Sequence, residues 1–183
     1  VEYAQQTEQR GTGHAAQVGF EALKKHNPRY VLVGYGDHMM FYKPGRIKEL
    51  IQNHKDQDAV ISLLTTTHPL PDIIAWARII RDNQQNVVGL IEQKDATEEQ
   101  KKIQEVNPGF YCFNADFLEE FLPQIAESPV THEYYLTDLL QLASKHDKKI
   151  VALPVPFEEV GIGINRAEEL QESQKLYSDL QKN

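Results

Sequence analysis

The segment RYVLVGYGD (residues 29–37) carries four apolar residues in a row, Tyr30 to Val33, then a Gly-Tyr-Gly step that ends on Asp37. An apolar run without alternation predicts a strand covered on both faces, as in a sheet with helices on either side. In open α/β sheets, ligands gather at the carboxyl ends of strands. A carboxylate delivered there is placed to hold Mg²⁺ against phosphates, although a turn or helix-cap residue fits the same spacing. His38 beside it reads as an ordinary loop histidine.

Helical and strand patterns alternate outward from this segment. HAAQVGFEALKKHN (14–27) puts Ala16, Phe20 and Leu23 on one helical stripe, with Asn27-Pro28 as a stop. Pro44 opens a second helix carrying Ile47, Leu50 and Ile51, and DAVISLLTT (58–66) gives a second buried strand. WARIIRD (76–82) and NVVGLIEQ (86–93) flank a turn-like NQQ and predict a hairpin. Asp95 or Thr97 caps a short polar helix through Glu98 or Gln100. GFYCF (109–113) is another strand, Asn114 and Thr137 are candidate N-caps, and KIVALPV (149–155) precedes a closing helix over 166–180. The expected architecture is a three-layer α/β/α, Rossmann-like domain with a mixed sheet, spanning 1–183. Its first βα units are expected to be missing, since the chain opens inside an apparent strand, VEYA (1–4), and shows no glycine-rich phosphate loop.

The totals narrow the function. With 183 residues, 40% hydrophobic and 25% charged, the chain has globular composition, and no apolar run nears the ~20 residues of a membrane span. A formal net charge of −8 with scattered lysines argues against a nucleic-acid partner, which needs a clustered basic face. Cys112 stands alone in a strand-like run and reads as a buried inert thiol; with no leader, the expected setting is the cytoplasm. The seven histidines show no metal-ligand spacing, and no serine or cysteine sits in a nucleophile elbow.

QQTEQRGTG (5–13) offers a second constellation. Gly11 and Gly13 permit close backbone approach, Thr12 can cap the next helix, and Gln6 and Gln9 present paired donors and acceptors suited to a base edge. A strand-to-helix turn with solvated glutamines fits equally. GIGINRAEEL (161–170) places Asn165 in a glycine-bearing turn, where an N-cap would look the same.

Taken in order, EQRGTGHA (8–15), YGD (35–37), IEQKDATEEQKKIQEVNPG (91–109), EYYLTDLL (133–140) and GIN (163–165) form one pattern. It resembles the uridyltransferase domain of the bifunctional N-acetylglucosamine-1-phosphate uridyltransferase / glucosamine-1-phosphate acetyltransferase family. The likeness runs along nearly the whole chain, and residues 92–107 are its most specific part. It implies a Mg²⁺-dependent reaction in which UTP and N-acetylglucosamine 1-phosphate give UDP-N-acetylglucosamine and pyrophosphate. By the same resemblance Gln6 reads uracil, with Gly11 and Thr12 beside the nucleoside. Asp37 and Asn165 hold the magnesium, and Glu92, Asn107 and Thr137 contact the amino sugar and its phosphate.

The chain also departs from that pattern. The family's L-A-A-G-x-G-T-R-M loop and nearby lysine do not occur, so this chain alone is expected to be inactive. Ala75-Trp76-Ala77-Arg78 replaces G-Y-G-R, and Ala77 adds a methyl where a glycine backbone approaches the sugar. Tyr35-Gly36-Asp37-His38-Met39-Met40 stands for Y-G-D-x-P-L, and Asn107-Pro108-Gly109 for N-T-G. No stretch of these 183 residues reads as the family's β-helix, so acetyl transfer and trimerisation are not expected of this chain. A related transferase for another nucleotide or sugar 1-phosphate fits these residues too, as does a non-catalytic module that binds sugar nucleotides.

Overall fold

The computed structural model describes residues 1–37, 39–71, 76–160, 163–164 and 167–180. Their strands are β1 (Tyr30–Gly34), β2 (Ile61–Thr67), β3 (Arg78–Arg81), β4 (Val87–Ile91), β5 (Glu105–Val106), β6 (Phe110–Asn114) and β7 (Ile150–Pro154). The helices are α1 (Thr12–Leu23), α2 (Pro44–Asp56), α3 (Glu98–Lys101), α4 (Ala115–Phe121), α5 (Asp138–Lys145) and α6 (Ala167–Leu180). Strand order is β1-β6-β2-β5-β3-β4, with β7 also on β2. The sheet is mixed: β7 lies parallel to β2, and every other pairing is antiparallel.

The two-residue period of the strands divides the core. Tyr111 and Phe113 of β6 join Ile61, Leu63, Val31 and Phe20 with apolar side chains of α4 and α5. Phe110 and Cys112 turn the other way, to Leu50 of α2, Leu64 and Tyr42. Helices therefore cover both faces, which is the expected three-layer arrangement. The Cys112 thiol is fully buried, and burial pushes its pKa up to about 11, so it is inert.

Several local expectations are corrected. Residues 29–37 do not form a strand buried on both faces: β1 covers five residues, pairs among the described residues only with β6, and leaves Leu32 41% exposed. Burial of a strand depends on its neighbours, which apolarity alone does not specify. β6, distant in sequence, lies between β1 and β2. VEYA forms no strand, and Val1 and Tyr3 are exposed. Leu23 leaves its predicted stripe and is 40% exposed where α1 passes into a 3₁₀ turn closed by Asn27 at φ 47°. The hairpin of β3 and β4 forms as expected, and Thr97 with Gln100 makes the reciprocal capping box.

Candidate active site

The predicted site residues sit at strand tips and helix starts. Asp37 lies just past β1, Glu92 follows β4, Asn107 follows β5, and Thr137 precedes α5. Thr137 does not cap α5 with its side chain; its Oγ1 donates to Glu92 Oε1 at 3.1 Å. Burial pushes the Glu92 carboxyl above its usual range, and the Thr137 hydrogen bond opposes that rise. Burial also raises the Asp138 carboxyl, with the neighbouring Asp95 charge adding to it. Lys94 lies over the Tyr135 ring at 4.9 Å and tempers the negative charge around Glu92.

Asn107 is 5% exposed and held on every side. Its backbone N–H donates to Ala77 O at 3.0 Å. Its Oδ1 accepts the Gly109 N–H at 3.1 Å, and its Nδ2 donates to the Tyr111 hydroxyl at 2.6 Å. Gly109 is required here: its φ is +79°, and a Cβ would stand 2.2 Å from the Tyr35 ring. Tyr42 fixes the same loop by donating to Pro108 O at 3.2 Å. Ala77 is 4% exposed, its methyl within the hydrophobic core, so its contact with Asn107 runs through its carbonyl. Buried Arg78 ties the preceding segment down by donating to Trp76 O and, at 2.9 Å, to Pro71 O.

Around the loop before α1, Gln6 Nε2 donates to Gly11 O at 3.3 Å and lies 2.9 Å from His14 Nδ1. Gly11, at φ +94°, occupies the N-cap position, so Thr12 is the first helical residue and not the cap. A Cβ on Gly11 would lie 2.6 Å from Tyr134 O, so what this glycine approaches is the backbone before α5. Thr12 Oγ1 accepts the Leu136 N–H at 3.1 Å.

Tyr111, which the sequence reading did not single out, and Tyr35 of the YGD motif border these parts. Tyr35 lies beside both Thr12 and Tyr111, and its backbone N–H donates to Gly109 O at 3.3 Å. Burial raises its pKa, and the charges of Glu92 and Asp37 add to that rise, so both carboxylates act on the same phenol. A tyrosine inside the apolar run 109–113 was the available signal, because a buried hydroxyl needs a partner. Asn107 thus meets Tyr111 by a hydrogen bond and Tyr35 across Gly109, Thr137 meets Glu92, and Gln6 and Gly11 lie beside Thr12. Asn165 and Ala75 lie outside the described residues. Among the described residues no group of three or more metal-ligating side chains is present, and no helix is long and apolar enough to cross a membrane.

Comparisons with known proteins bear on the family and the fold. The profile of the nucleotidyl transferase family matches residues 1–159. The bifunctional protein GlmU of Caldicellulosiruptor saccharolyticus is 38% identical over 170 residues, covering 93% of this chain and 36% of that protein. GlmU of Alcanivorax borkumensis is 37% identical over 182 residues, 99% of this chain and 38% of that protein. The chain therefore spans little more than a third of the length of these curated relatives. UDP-glucose pyrophosphorylase, solved in complex with UDP-glucose, aligns with a TM-score of 0.68 at 16% identity, covering 99% of this chain and 66% of that one. That last likeness is one of fold. The match over residues 1–159 and the identity to the GlmU proteins show that the chain belongs to the nucleotidyl transferase family.

Proposed function

We propose that this chain is the sugar- and uridine-recognising part of a uridyltransferase. Its reaction joins UTP and N-acetylglucosamine 1-phosphate into UDP-N-acetylglucosamine and pyrophosphate. The observation that carries the reading is the pair of ties that gather these residues from separate elements: Asn107 held by Tyr111 and Gly109 after β5, and Thr137 donating to Glu92 across α5 and β4. The identity to GlmU proteins supports uridine and an amino sugar over other pairs.

In this reading an oxygen of the sugar phosphate attacks the α-phosphorus of UTP in line. A new P–O bond forms as the bond to the β-phosphate breaks, and pyrophosphate carries away that electron pair. No covalent nucleophile is needed, so the protein's task is alignment and charge neutralisation. Gln6 and Thr12 hold the nucleoside beside Gly11. Glu92, Thr137 and Asn107 hold the amino sugar and its phosphate, next to Ala77. The Thr137 hydrogen bond keeps the Glu92 carboxylate aimed as an acceptor for sugar donors.

Carboxylates at the strand tips repel an anionic substrate, so a cation belongs here. Asp37 and Asn165 offer hard oxygen donors, the class Mg²⁺ prefers, and both would hold the ion. When bound, Mg²⁺ supplies neutralisation of the phosphate charge. The setting we assign is cytoplasmic, in amino-sugar activation.

The decisive experiment is calorimetric titration with UTP, dTTP and GTP, each with Mg²⁺, alongside an assay of pyrophosphate release with N-acetylglucosamine 1-phosphate. UTP is expected to bind tightest, and tighter GTP or dTTP binding overturns the uridyl assignment. Binding without release in the full-length protein would favour a sugar-nucleotide sensor.

A further inference from the structure

The residues just ahead of α5 are tied to two separate parts of the site. Both backbone polar groups of Tyr134 belong to the loop before α1: its N–H donates to Arg10 O at 2.9 Å, and its carbonyl accepts the Gly13 N–H at 2.7 Å. Two residues on, the Leu136 N–H donates to Thr12 Oγ1 at 3.1 Å. The next residue turns to the sugar-side carboxylate, where Thr137 Oγ1 donates to Glu92 Oε1 at 3.1 Å. A Cβ on Gly11 would stand 2.6 Å from Tyr134 O, and one on Gly13 would stand 3.0 Å from the same atom. The two glycines therefore make room for this segment. Its far end is fixed as well: the carbonyls of Leu136 and Thr137 accept the N–H groups of Leu139 and Leu140 in the first turn of α5, and Leu136 is buried.

We infer that residues 134–137 are a strap that sets the nucleoside loop, residues 10–13, against Glu92 on the sugar side, with Tyr134 and Leu136 as its positioning residues. Neither needs to touch substrate, because each acts through backbone bonds to the loop that carries Thr12. Three residue steps span at most about 11 Å, so the strap is too short to absorb a shift at one end before the other feels it. A ligand held at one end strengthens the hold at the other, and the coupling has the same size in both directions. The inference rests on the reading that Thr12 faces the nucleotide and Glu92 the sugar.

The test uses Thr137→Val, which keeps the side-chain shape and removes the donor to Glu92. In the ligand-free protein, amide hydrogen exchange is followed by NMR. The Gly13 and Leu136 amides, which close the loop onto the strap, are expected to exchange about two- to five-fold faster, up to the weight of one neutral hydrogen bond. The amides of Leu63 and Cys112, in the paired strands β2 and β6, are expected to stay unchanged. Unchanged exchange at Gly13 and Leu136 overturns the strap whatever the chain binds, and so does an equal acceleration at Leu63 and Cys112. In calorimetry, Thr137→Val is expected to weaken UDP, which lacks the sugar, by a similar factor; full UDP affinity overturns the strap. Tyr135→Phe alters the same segment at a hydroxyl that bonds Thr131 Oγ1 at 2.6 Å, and is expected to leave UDP affinity unchanged. Equal losses in Tyr135→Phe and Thr137→Val would show a general disturbance of the segment and overturn the strap. From the other end, Gly13→Ala presses a methyl on Tyr134 O and is expected to weaken N-acetylglucosamine 1-phosphate, which lacks the nucleoside, by a similar factor. An unaltered affinity there also overturns the strap. If the unaltered chain binds neither UDP nor the sugar phosphate, the proposed function fails and hydrogen exchange alone decides the strap.

Discussion

Thr137 Oγ1 donates to Glu92 Oε1 at 3.1 Å, joining the start of α5 to the end of β4. Glu92 is buried enough that its carboxyl is raised above its ordinary value of 4.5. A group raised on folding binds more protons in the folded state, so its contribution to stability is full below the unfolded pKa and is lost as pH rises through the folded one. At pH 7 the ionised carboxylate therefore costs stability that a neutral amide would not. Glu92→Gln keeps an acceptor for Thr137 and is expected to raise the melting temperature by about 1–3 °C at pH 7, with no gain at pH 4. The same variant is expected to weaken UDP-N-acetylglucosamine binding by ten-fold or more in calorimetry, about the loss of one charge-assisted hydrogen bond. A lower melting temperature at pH 7 would show that the carboxylate is a structural anchor.

His54 gives the opposite sign. Its ring lies buried between Ser62 Oγ at 2.9 Å from Nδ1 and Asn114 Oδ1 at 3.3 Å from Nε2, and burial lowers its pKa below 6.5. The folded state then binds fewer protons than the unfolded one, so stability falls as pH drops below 6.5 toward the folded pKa. Thermal melts from pH 7.5 to 5 are expected to show this decline. His54→Gln lowers the melting temperature throughout but flattens its slope in that window. A slope unchanged by the substitution would assign the acid sensitivity elsewhere.

These side chains also show how far the sequence was legible. The helices and most strands announced themselves through period and punctuation: Pro44 at the first turn of α2, the Thr97 and Gln100 pair, the turn between β3 and β4. Asn114 and Thr137 were read as caps and do occupy the N-cap positions, but their side chains leave for His54 and Glu92. Local spacing reports which backbone groups are open; it does not report a partner tens of residues away. For the same reason the two-residue β5 and the placement of β6 between β1 and β2 were not visible, because both depend on long-range pairing. The motifs fall at strand tips, whereas Tyr111, to which Asn107 donates, was hidden inside an apolar run.

Gly109 tests the Asn107 loop directly. Its φ of +79° disfavours any side chain, and the 2.2 Å approach of Tyr35 leaves no room for a methyl. Gly109→Ala is expected to cost about 1–3 kcal/mol, lowering the melting temperature by roughly 3–10 °C. Asn107 and Tyr35 are displaced together, so the affinity for UDP-N-acetylglucosamine falls with stability. An unchanged melt would mean that the loop relaxes without strain.

Asp37 stands at the tip of β1 as the carboxylate assigned to Mg²⁺. Asp37→Ala is expected to abolish the Mg²⁺-dependent part of UDP-N-acetylglucosamine binding while leaving the thermal melt nearly unchanged. Titrations with Mg²⁺ and with EDTA read the first effect. A collapsed melt would mark Asp37 as structural.

Gln6 supplies the sharpest test of base recognition. Its Nε2 donates to Gly11 O at 3.3 Å and faces His14 Nδ1 at 2.9 Å, so the amide nitrogen is committed to the protein and Oε1 is the group left to receive a ligand hydrogen. Uracil offers a donor at N3–H between two carbonyls, whereas cytosine presents an unprotonated N3, an acceptor that Oε1 repels. The unaltered protein is therefore expected to prefer UDP to CDP, and Gln6→Ala to weaken UDP by about ten-fold while leaving CDP nearly unchanged, so that the preference collapses. Paired calorimetric titrations measure both affinities in the same buffer. If Gln6→Ala weakens the two nucleotides equally, Gln6 braces Gly11 and the loop before α1, and the reading of the base belongs to another residue.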